Sequence, residues 1–447
     1  TMAATNRSSP LVASLAARLS ELIRPGQRLL LAYSGGLDSC VLLHLLANLR
    51  GELGFDLHAL HVHHGLSPNA DDWARFCEEA CAALDVPLRV AHVRVAADKG
   101  NGVEAAARRA RYQALSEAEA DFIVLAHHQD DQAETLLLQL LRGAGVKGLA
   151  AMAVLDRERR LLRPLLDYSR SELQQYAVAC NLDWIEDESN QDLRYDRNYL
   201  RHELLPLIET RFTGAKKVLA RTAGHMAESA MLLDELAQID AACSALSIRE
   251  LRQRLPLGCL RRISQARARN LLRWWLSLQR LEMPSAARLA DMLTQLLSAR
   301  EDAVISIKLG NEAHIKRYRD SVYVDSHGDN QPFSLLWSGQ PVLALPDGSR
   351  LHFEKSLGAG IACERLNVDK LRVVSREGGE RFKPHPQRPT RTLKHLLQEA
   401  NMPPWERQRL PLVYLDDELA AVPGIGVAAG LHAEPQETGL VVTWCRG

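Results

Sequence analysis

The stretch Leu29–Ser39 constrains the fold more than any other part of the chain. It runs from an apolar strand through Ser34, Gly35 and Gly36 into a helix whose apolar residues recur at helical spacing. The glycines let the backbone approach a ligand closely, and the N–H groups that begin the helix attract an anion. Asp38 lies inside this turn and would repel a phosphate unless a divalent cation lay between them. The sequence therefore predicts a Mg²⁺-bridged pyrophosphate here, rather than a glycine turn without a ligand.

Alternating strands and helices predict a doubly wound parallel sheet for the N-terminal part of the chain. Further strands are expected at 57–62, 88–93 and 122–126, and helices at 71–84, 103–119 and 131–142. Ligands of such sheets lie beyond the carboxyl ends of the strands. Polar clusters follow three strand ends, at 34–39, 61–65 and 127–134. We therefore expect these clusters to meet at one edge of the sheet.

The length of 447 residues allows two or three domains. We predict an α/β catalytic domain over 1–213 and a mainly helical domain over 214–326 that ends in a hairpin, with strands at 304–308 and 313–316. A linker at 326–332 then leads to a small α/β domain over 333–447, with one helix near 392–400.

The cluster His127–Thr135 begins at a strand end and opens a helix. Asp130 and Asp131 could simply cap that helix, but with Glu134 one turn later they exceed what capping needs. They could complete a Mg²⁺ shell or bind an ammonium group. We expect Asp38 and Asp131 to converge on one magnesium–triphosphate complex.

Three histidines, His61, His63 and His64, suggest zinc at first sight. Alternate strand residues point to opposite faces, however, and no cysteine cluster completes a ligand set. We favour a nucleotide pocket in which backbone groups read adenine, and we place His61 and His127 among the ATP-binding residues.

Several cationic clusters have two interpretations each. Arg108 and Arg111 lie on a helix face with Glu104, where spacing alone favours a surface ion pair over a guanidinium aimed at a phosphate. The arginine-rich segment 252–273 fits a solvated helix face and an RNA-facing patch equally well. Segment 194–201 fits either the solvated, salt-bridged start of a helix or contact with RNA phosphates and bases. The remaining candidates for RNA contact are Arg194, Arg197, Asn198, Arg201, Arg381, Lys383, Arg391 and Lys394.

Composition narrows the class of protein. The chain carries 55 basic and 55 acidic residues, so its formal net charge of zero argues against indiscriminate nucleic-acid binding. Its eight cysteines are scattered and form no Cys-x-x-Cys motif, which fits a reducing cytoplasm. The absence of a secretory signal and of a long apolar run predicts a cytoplasmic protein without membrane contact.

The glycine turn resembles the SGGxDS loop of the N-type ATP pyrophosphatases. A longer ordered set of motifs resembles the tRNA(Ile)-lysidine synthetases over nearly the whole chain, although His63 replaces their usual Asn. The set comprises 34–39, 61–66, 104–112, 127–135, 142–149, 163–166 and 187–201, followed by the C-terminal stretches 376–384 and 403–411.

The resemblance implies an enzyme that uses ATP and lysine to convert the wobble cytidine of a CAU-anticodon isoleucine tRNA to lysidine. Cytidine O2 is adenylated, and the lysine amine then attacks C2 and expels AMP. The implied roles are Mg²⁺ binding by Asp38 and Asp131, and α-phosphate stabilisation by Arg108 and Arg111. Residues 34–39, Leu37 included, would cradle the pyrophosphate. Lysine would be bound by Asp130, Asp131 and Glu134, and the division of roles among these three residues stays open.

Two rival enzymes and one non-enzymatic function compete with this interpretation. A tRNA thiolase of the same superfamily would need paired cysteines, which the chain lacks. A small-molecule amide synthetase would need an ammonia source and would leave the basic accessory domains unexplained. An RNA chaperone would leave the acidic clusters at strand ends unexplained. The sequence leaves the oligomeric state open, with a homodimer among the options.

Overall fold

Two compact units divide the chain, Thr1–Leu233 and Asp234–Gly447. The computed structural model describes residues 10–65, 67–93, 102–300, 305–310, 313–325, 331–366, 370–384 and 389–445, without the side chains of 102–105, 189 and 190.

The first unit is built on a six-stranded sheet in the order β3-β2-β1-β4-β6-β5. Its strands are β1 (Arg28–Ala32), β2 (Asp56–His63), β3 (Leu88–His92), β4 (Phe122–Val124), β5 (Leu155–Asp156) and β6 (Leu161–Leu162). All neighbours pair in parallel except β5, which runs antiparallel to β6. The predicted parallel sheet is confirmed, and the short pair β5–β6 is an addition to it.

Helices cover both faces of this sheet. They are α1 (Pro10–Leu22), α2 (Leu37–Leu53), α3 (Ala70–Ala83), α4 (Gly102–Ser116), α5 (Gln129–Leu141), α6 (Val146–Leu149) and α7 (Arg170–Ala179). Leu29 and Leu31 of β1 belong to one apolar core and Leu30 to a second. A strand buried on both sides is a continuous apolar run, which is why Leu29–Leu31 shows no alternation.

A helical segment follows the sheet. It begins with α8 (Asp196–Tyr199), continues through one π-helical turn (Leu200–Leu204) into α9 (Leu205–Arg211), and leads to the long helix α10 (Ala215–Ala242). Leu137 of α5 packs with Leu200 and Leu205 in a small apolar cluster. This contact places the segment beside the helix that carries the predicted acidic residues.

The second unit begins with helices around a small sheet. The helices are α11 (Ile248–Gln253), α12 (Leu257–Arg261), α13 (Gln265–Leu278) and α14 (Ala286–Ser298). The strands β7 (Leu255–Pro256), β8 (Ile305–Leu309), β9 (Ala313–Tyr318) and β10 (Ser321–Asp325) form an antiparallel sheet in the order β7-β10-β9-β8. The predicted hairpin is confirmed by the pairing of Ile307 with Ile315, whereas Val304 and Asn311 lie outside the described residues.

The rest of the second unit is richer in strands than an even α/β mixture. One sheet contains β11 (Ser334–Leu336), β15 (Leu371–Val374), β18 (Leu412–Leu415), β19 (Glu418–Val422) and β20 (Gly426–Val427). The other contains β12 (Val342–Ala344), β13 (Arg350–Leu357), β14 (Ile361–Ala362) and β21 (Thr438–Cys445). The ribbon β16 (Arg381–Phe382)–β17 (Arg391–Thr392) precedes α15 (Leu393–Glu399) and α16 (Pro404–Arg409). The helix expected near 392–400 is thereby confirmed. Across the described residues, no helix combines the length and apolarity needed to cross a membrane.

Candidate active site

The glycine turn follows the carboxyl end of β1 and begins α2. Gly35 has a φ of +82°, and a Cβ there would lie 2.6 Å from Ile185 Cδ1. Ser39 Oγ donates to Gly36 O over 2.9 Å and lies 3.0 Å from Ser34 Oγ. The two hydroxyls therefore fasten the turn. The first N–H groups of α2 have no acceptor within the helix, so the helix begins with a positive end suited to a phosphate.

The imidazole of His128 lies between the two carboxylates that were predicted to converge. His128 Nε2 is 3.5 Å from Asp38 Oδ2 and 3.4 Å from Asp131 Oδ2. The two oxygen atoms therefore cannot be farther apart than those two distances together. The His128 side chain is 1% exposed, and the Asp131 carboxylate also accepts the backbone N–H of His128 over 3.0 Å. The structure thus brings Asp38 and Asp131 to one edge of the sheet.

The charges of His128 and Asp131 influence each other's protonation state. Burial alone would lower the pKa of His128, but the carboxylates of Asp131 and Asp38 outweigh it and raise the pKa. Burial would raise the pKa of Asp131, yet the charges of His128 and Arg197 lead the interactions that hold it well below its usual range. Asp131 is therefore ionised at neutral pH beside a histidine that favours its protonated form.

Several polar atoms at this edge are buried without a hydrogen-bond partner: Asp38 Oδ1, His64 Nδ1, His127 Nδ1 and His128 Nδ1. An unpaired buried carboxylate oxygen is costly unless a ligand satisfies it. Within the described residues no group of three or more histidine, cysteine or acidic side chains is arranged to hold a metal. Mg²⁺ at a nucleotide site needs only one or two carboxylates beside phosphate oxygens. Asp38 and Asp131 therefore fit Mg²⁺ bound together with a nucleotide.

A second cluster joins the acidic end of α5 to the arginines of the following segment. Glu134 is 1% exposed and accepts from Arg197 Nε over 2.7 Å and from Arg201 Nε over 2.6 Å. Asp131 Oδ1 accepts from Arg197 Nη2 at 2.8 Å and from Arg201 Nη2 at 2.9 Å. The sequence allows these two arginines either RNA contact or ion pairs within the protein. The structure gives both guanidinium groups carboxylate partners within the first unit.

Asp130 faces a different set of partners. Its Oδ2 lies 2.8 Å from Lys216 Nζ at the start of α10, and its Oδ1 accepts the backbone N–H of Arg170 over 3.1 Å. Burial would raise the pKa of Asp130, but the hydrogen bond from Lys216 leads the interactions that lower it. Asp130 thereby connects α7 and α10, and its Oδ1 also lies 4.0 Å from His128 Nδ1. No local motif marks Lys216 in the sequence, and we did not predict it.

The predicted phosphate-facing arginines of α4 approach the same edge. The guanidinium of Arg108 lies 5.2 Å from the ring centre of Tyr112, and that of Arg111 lies 5.9 Å from it. Burial lowers the pKa of His127 to about 3, and the charges of nearby arginines, including Arg108, contribute to that shift. The charge of Arg111 likewise helps burial to lower the pKa of His64. The side chain of Glu104 lies outside the described part of the structure.

The histidines after β2 have internal partners. His61 Nδ1 lies 3.0 Å from Tyr33 O of β1, and the ring is buried. His63 Nε2 lies 3.0 Å from Asp71 Oδ1, with the ring of His92 4.6 Å away between centres. The side chain of His61 is thus tied to the sheet.

The residues predicted to bind tRNA are spread over both units. Arg194 is 86% exposed and pairs with Asp192, whose backbone oxygen accepts from Asn198 Nδ2. In the second unit Arg391 is exposed and pairs with Glu399. Arg381 and Lys394 are also exposed, and Lys383 is half-buried. The contact of these residues with tRNA stays a prediction.

The arginine-rich segment 252–273 has acidic partners that the sequence analysis did not expect. Arg267 pairs with Asp240, and Arg261 Nη1 lies 3.2 Å from Asp320 Oδ1. These acids come from distant positions in the chain, so the segment is less basic than its own sequence suggests.

A doubly wound sheet with a glycine turn, two converging carboxylates and arginines at its carboxyl edge defines a nucleotide-dependent enzyme. The family comparisons agree with this class. Residues 11–208 match the PP-loop domain, 255–323 the TilS substrate binding domain and 371–444 the TilS substrate C-terminal domain.

Two curated relatives extend the match to nearly the full chain. The tRNA(Ile)-lysidine synthase of Aromatoleum aromaticum is 45% identical over 95% of this chain and 99% of its own length. That of Nitrosomonas europaea is 41% identical over 94% of this chain and 93% of its own length. The chain therefore belongs to the tRNA(Ile)-lysidine synthase family.

Proposed function

We propose that the protein ligates lysine to the wobble cytidine of a CAU-anticodon isoleucine tRNA, using ATP and releasing AMP and pyrophosphate. The observation that carries this proposal is the placement of Asp38 and Asp131 on either side of His128 Nε2, next to the positive end of α2. Such an edge suits a triphosphate, and the family membership supplies the tRNA class. A cytoplasmic location belongs to the same proposal.

The geometry supports the following proposed ATP-binding roles. Asp38 and Asp131 would hold Mg²⁺, which when bound neutralises charge on the departing pyrophosphate. The N–H groups that begin α2 cradle that pyrophosphate, with Ser34 and Ser39 fixing the turn. His128 keeps the two carboxylates together. Arg108 and Arg111 stabilise the charge that develops at the α-phosphate as cytidine O2 is adenylated.

The lysine-binding roles divide among the acidic residues. Free lysine carries a carboxylate and ammonium groups, so its pocket needs both signs of charge. The cluster of Asp131 and Glu134 with Arg197 and Arg201 offers both within one set of contacts. We assign the lysine carboxylate to the arginines and an ammonium to the acids. Asp130 already pairs with Lys216, so we assign it a supporting role, in which it holds the start of α10 next to α5.

Proton transfer limits the choice of base. The ε-amino group attacks cytidine C2 only when it is neutral, so one group must accept its proton. Asp131 has a pKa held well below its usual range, which makes it a weak base. Asp131 therefore binds the ammonium group without accepting its proton, which passes to Glu134 or to solvent.

The test is incorporation of labelled lysine into RNA. The protein is incubated with ATP, Mg²⁺, labelled lysine and an isoleucine tRNA transcript with a CAU anticodon. A matched transcript carries uridine at the wobble position. We expect ATP-dependent label in the first transcript and none in the second. ATP consumption without label in RNA would instead favour a thiolase or a small-molecule amide synthetase, and no ATP consumption would favour a non-enzymatic RNA-binding protein.

A further inference from the structure

Two cysteine thiols meet in the second unit, whereas the residues of the proposed active site belong to the first. Cys243 directly follows α10, and Cys259 lies in α12. Their sulfur atoms are 2.8 Å apart, and both cysteines are free thiols. A disulfide bond measures about 2.05 Å, so the sulfurs are already within an ångström of bonding distance.

The backbone around both cysteines is anchored in one apolar core. Ala237 and Ala241 near the end of α10 belong to the same buried cluster as Leu257 and Leu260 of α12. Disulfides that require backbone movement are strained and form poorly. Here the core already holds the two segments together, so the bond needs only a small movement of the sulfurs.

The two thiols differ in the way that sequential oxidation requires. Cys243 is exposed, whereas Cys259 is buried. Burial raises the pKa of Cys259 to about 12, so this thiol keeps its proton. Oxidants attack accessible thiolates first. Cys243 is therefore the first site of reaction, and Cys259 is the neighbour that resolves it.

We propose that Cys243 and Cys259 form an oxidisable dithiol, which a peroxide converts to a disulfide that fastens the end of α10 to α12. The Cys243 thiolate attacks one peroxide oxygen, giving a sulfenic acid and hydroxide. The Cys259 sulfur then attacks the sulfenic sulfur, so the S–S bond forms and the S–O bond breaks. The oxygen leaves as water, with the proton of the second thiol. In total two thiols lose two electrons and hydrogen peroxide is reduced to two waters.

The link would constrain the segment that carries α11 and β7, which lies between the two cysteines. Cys259 also lies inside the stretch 255–323 that matches the TilS substrate binding domain. The proposal does not depend on the lysidine reaction, because its chemistry involves neither ATP nor tRNA.

The experiment uses the full-length reduced protein and graded hydrogen peroxide, followed by alkylation under denaturing conditions and tryptic mapping. Cleavage after arginine isolates Cys243 in peptide 222–249 and Cys259 in peptide 255–261. We expect these two peptides to become linked, two of the eight cysteines to escape alkylation, and dithiothreitol to restore both. Cys363→Ser, a matched control at a half-buried cysteine, should leave the link intact.

A second variant keeps the proposal falsifiable if a linked peptide is scarce. Cys259→Ala removes the resolving thiol and should make Cys243 accumulate as a sulfenic acid, detected with a dimedone probe. Cys243→Ser should abolish both the link and the probe signal at this site. The proposal is overturned if peroxide leaves wild-type Cys243 and Cys259 alkylatable, or if Cys243 links to another cysteine. It is equally overturned if Cys243 overoxidises to sulfinic acid without linking.

Discussion

At the scale of single residues, the site depends on charges that neutralise one another. His128 lies between Asp38 and Asp131. Arg197 and Arg201 pair with the other carboxylate oxygen of Asp131. The sequence predicted that the carboxylates would converge, because both follow strand ends of a parallel sheet. It could not predict the arginine partners, because nothing local distinguishes a guanidinium that folds back onto α5 from one that faces solvent.

Glu134→Gln tests the strength of this internal cluster. Glutamine keeps the shape of the side chain but leaves Arg197 and Arg201 without their full counter-charge. Breaking a buried ion pair costs about 3–5 kcal/mol. We expect a loss near the lower end, about 3 kcal/mol, because the side chains of Arg197 and Arg201 retain 30% and 26% exposure. Urea titration measures this loss as a decrease in the free energy of unfolding.

Asp72→Asn is the matched control for that experiment. Asp72 pairs with Arg75 on the surface of α3, where both side chains are about two-thirds exposed. Exposed pairs contribute about 0–1 kcal/mol. A loss for Glu134→Gln no larger than that for Asp72→Asn would contradict the internal role of the cluster.

At the scale of elements, β1 to β4 and the helices between them are predictable from the sequence, whereas the very short strands are not. Patterns of 3.6 or 2 residues recur enough times in α5 or β9 to be recognised. The two-residue strands β5, β6 and β7 carry no period at all. Their positions depend on neighbouring strands, so they become visible only in the folded chain.

The contact between β10 and α16 gives a prediction of pH dependence. Asp325 of β10 is 6% exposed and accepts from Lys316 Nζ and from Arg409 Nη1 of α16, each over 2.5 Å. Burial would raise the pKa of Asp325, but these two cations lower it. The stability that the carboxylate contributes is therefore present above its unfolded pKa of about 3.9 and is lost as the pH falls through the lower folded value.

Asp325→Asn should remove that contribution. At pH 7 we expect the free energy of unfolding to fall by about 3 kcal/mol, because the buried cations lose their partner. The difference between wild type and variant should begin to shrink below about pH 4, where this carboxyl group takes up a proton in the unfolded chain, and should vanish as the pH falls through the lower folded pKa. Urea titration at pH 7 and pH 3 measures both values. Asp320→Asn, which alters an exposed pair with Arg261, should change little at either pH. A difference in unfolding free energy between wild type and Asp325→Asn that stays constant from pH 7 to pH 3 would exclude this linkage.

At the scale of the whole molecule, two units divide the work that the proposed reaction requires. The first unit contains the nucleotide edge, and the second contains the ribbon β16–β17 with Arg381 and Arg391. Phosphate contacts position an RNA without reading its sequence. We therefore expect binding and chemistry to respond to different substitutions.

The double variant Arg381→Gln/Lys394→Gln should weaken tRNA binding while sparing ATP binding. Each phosphate-binding cation removed should lower the slope of log affinity against log salt by about 1, so the double variant should lower it by about 2. Filter binding of tRNA at several salt concentrations measures that slope, and calorimetry measures ATP affinity. Lys355→Gln, which removes one exposed positive charge on β13, serves as the control for loss of a surface charge. Unchanged tRNA affinity in low salt would remove this surface from the proposal.

The most direct test of the central claim is a double-mutant cycle between Asp38 and Asp131, read as the affinity for a non-hydrolysable ATP analogue with Mg²⁺. If both carboxylates hold one magnesium–nucleotide complex, each single change to Asn should weaken binding at least about tenfold, equivalent to about 1.4 kcal/mol. The double variant should then bind little more weakly than the weaker single variant, because the shared ion is already absent from it. Additive effects, or unchanged affinity in either single variant, would contradict the account.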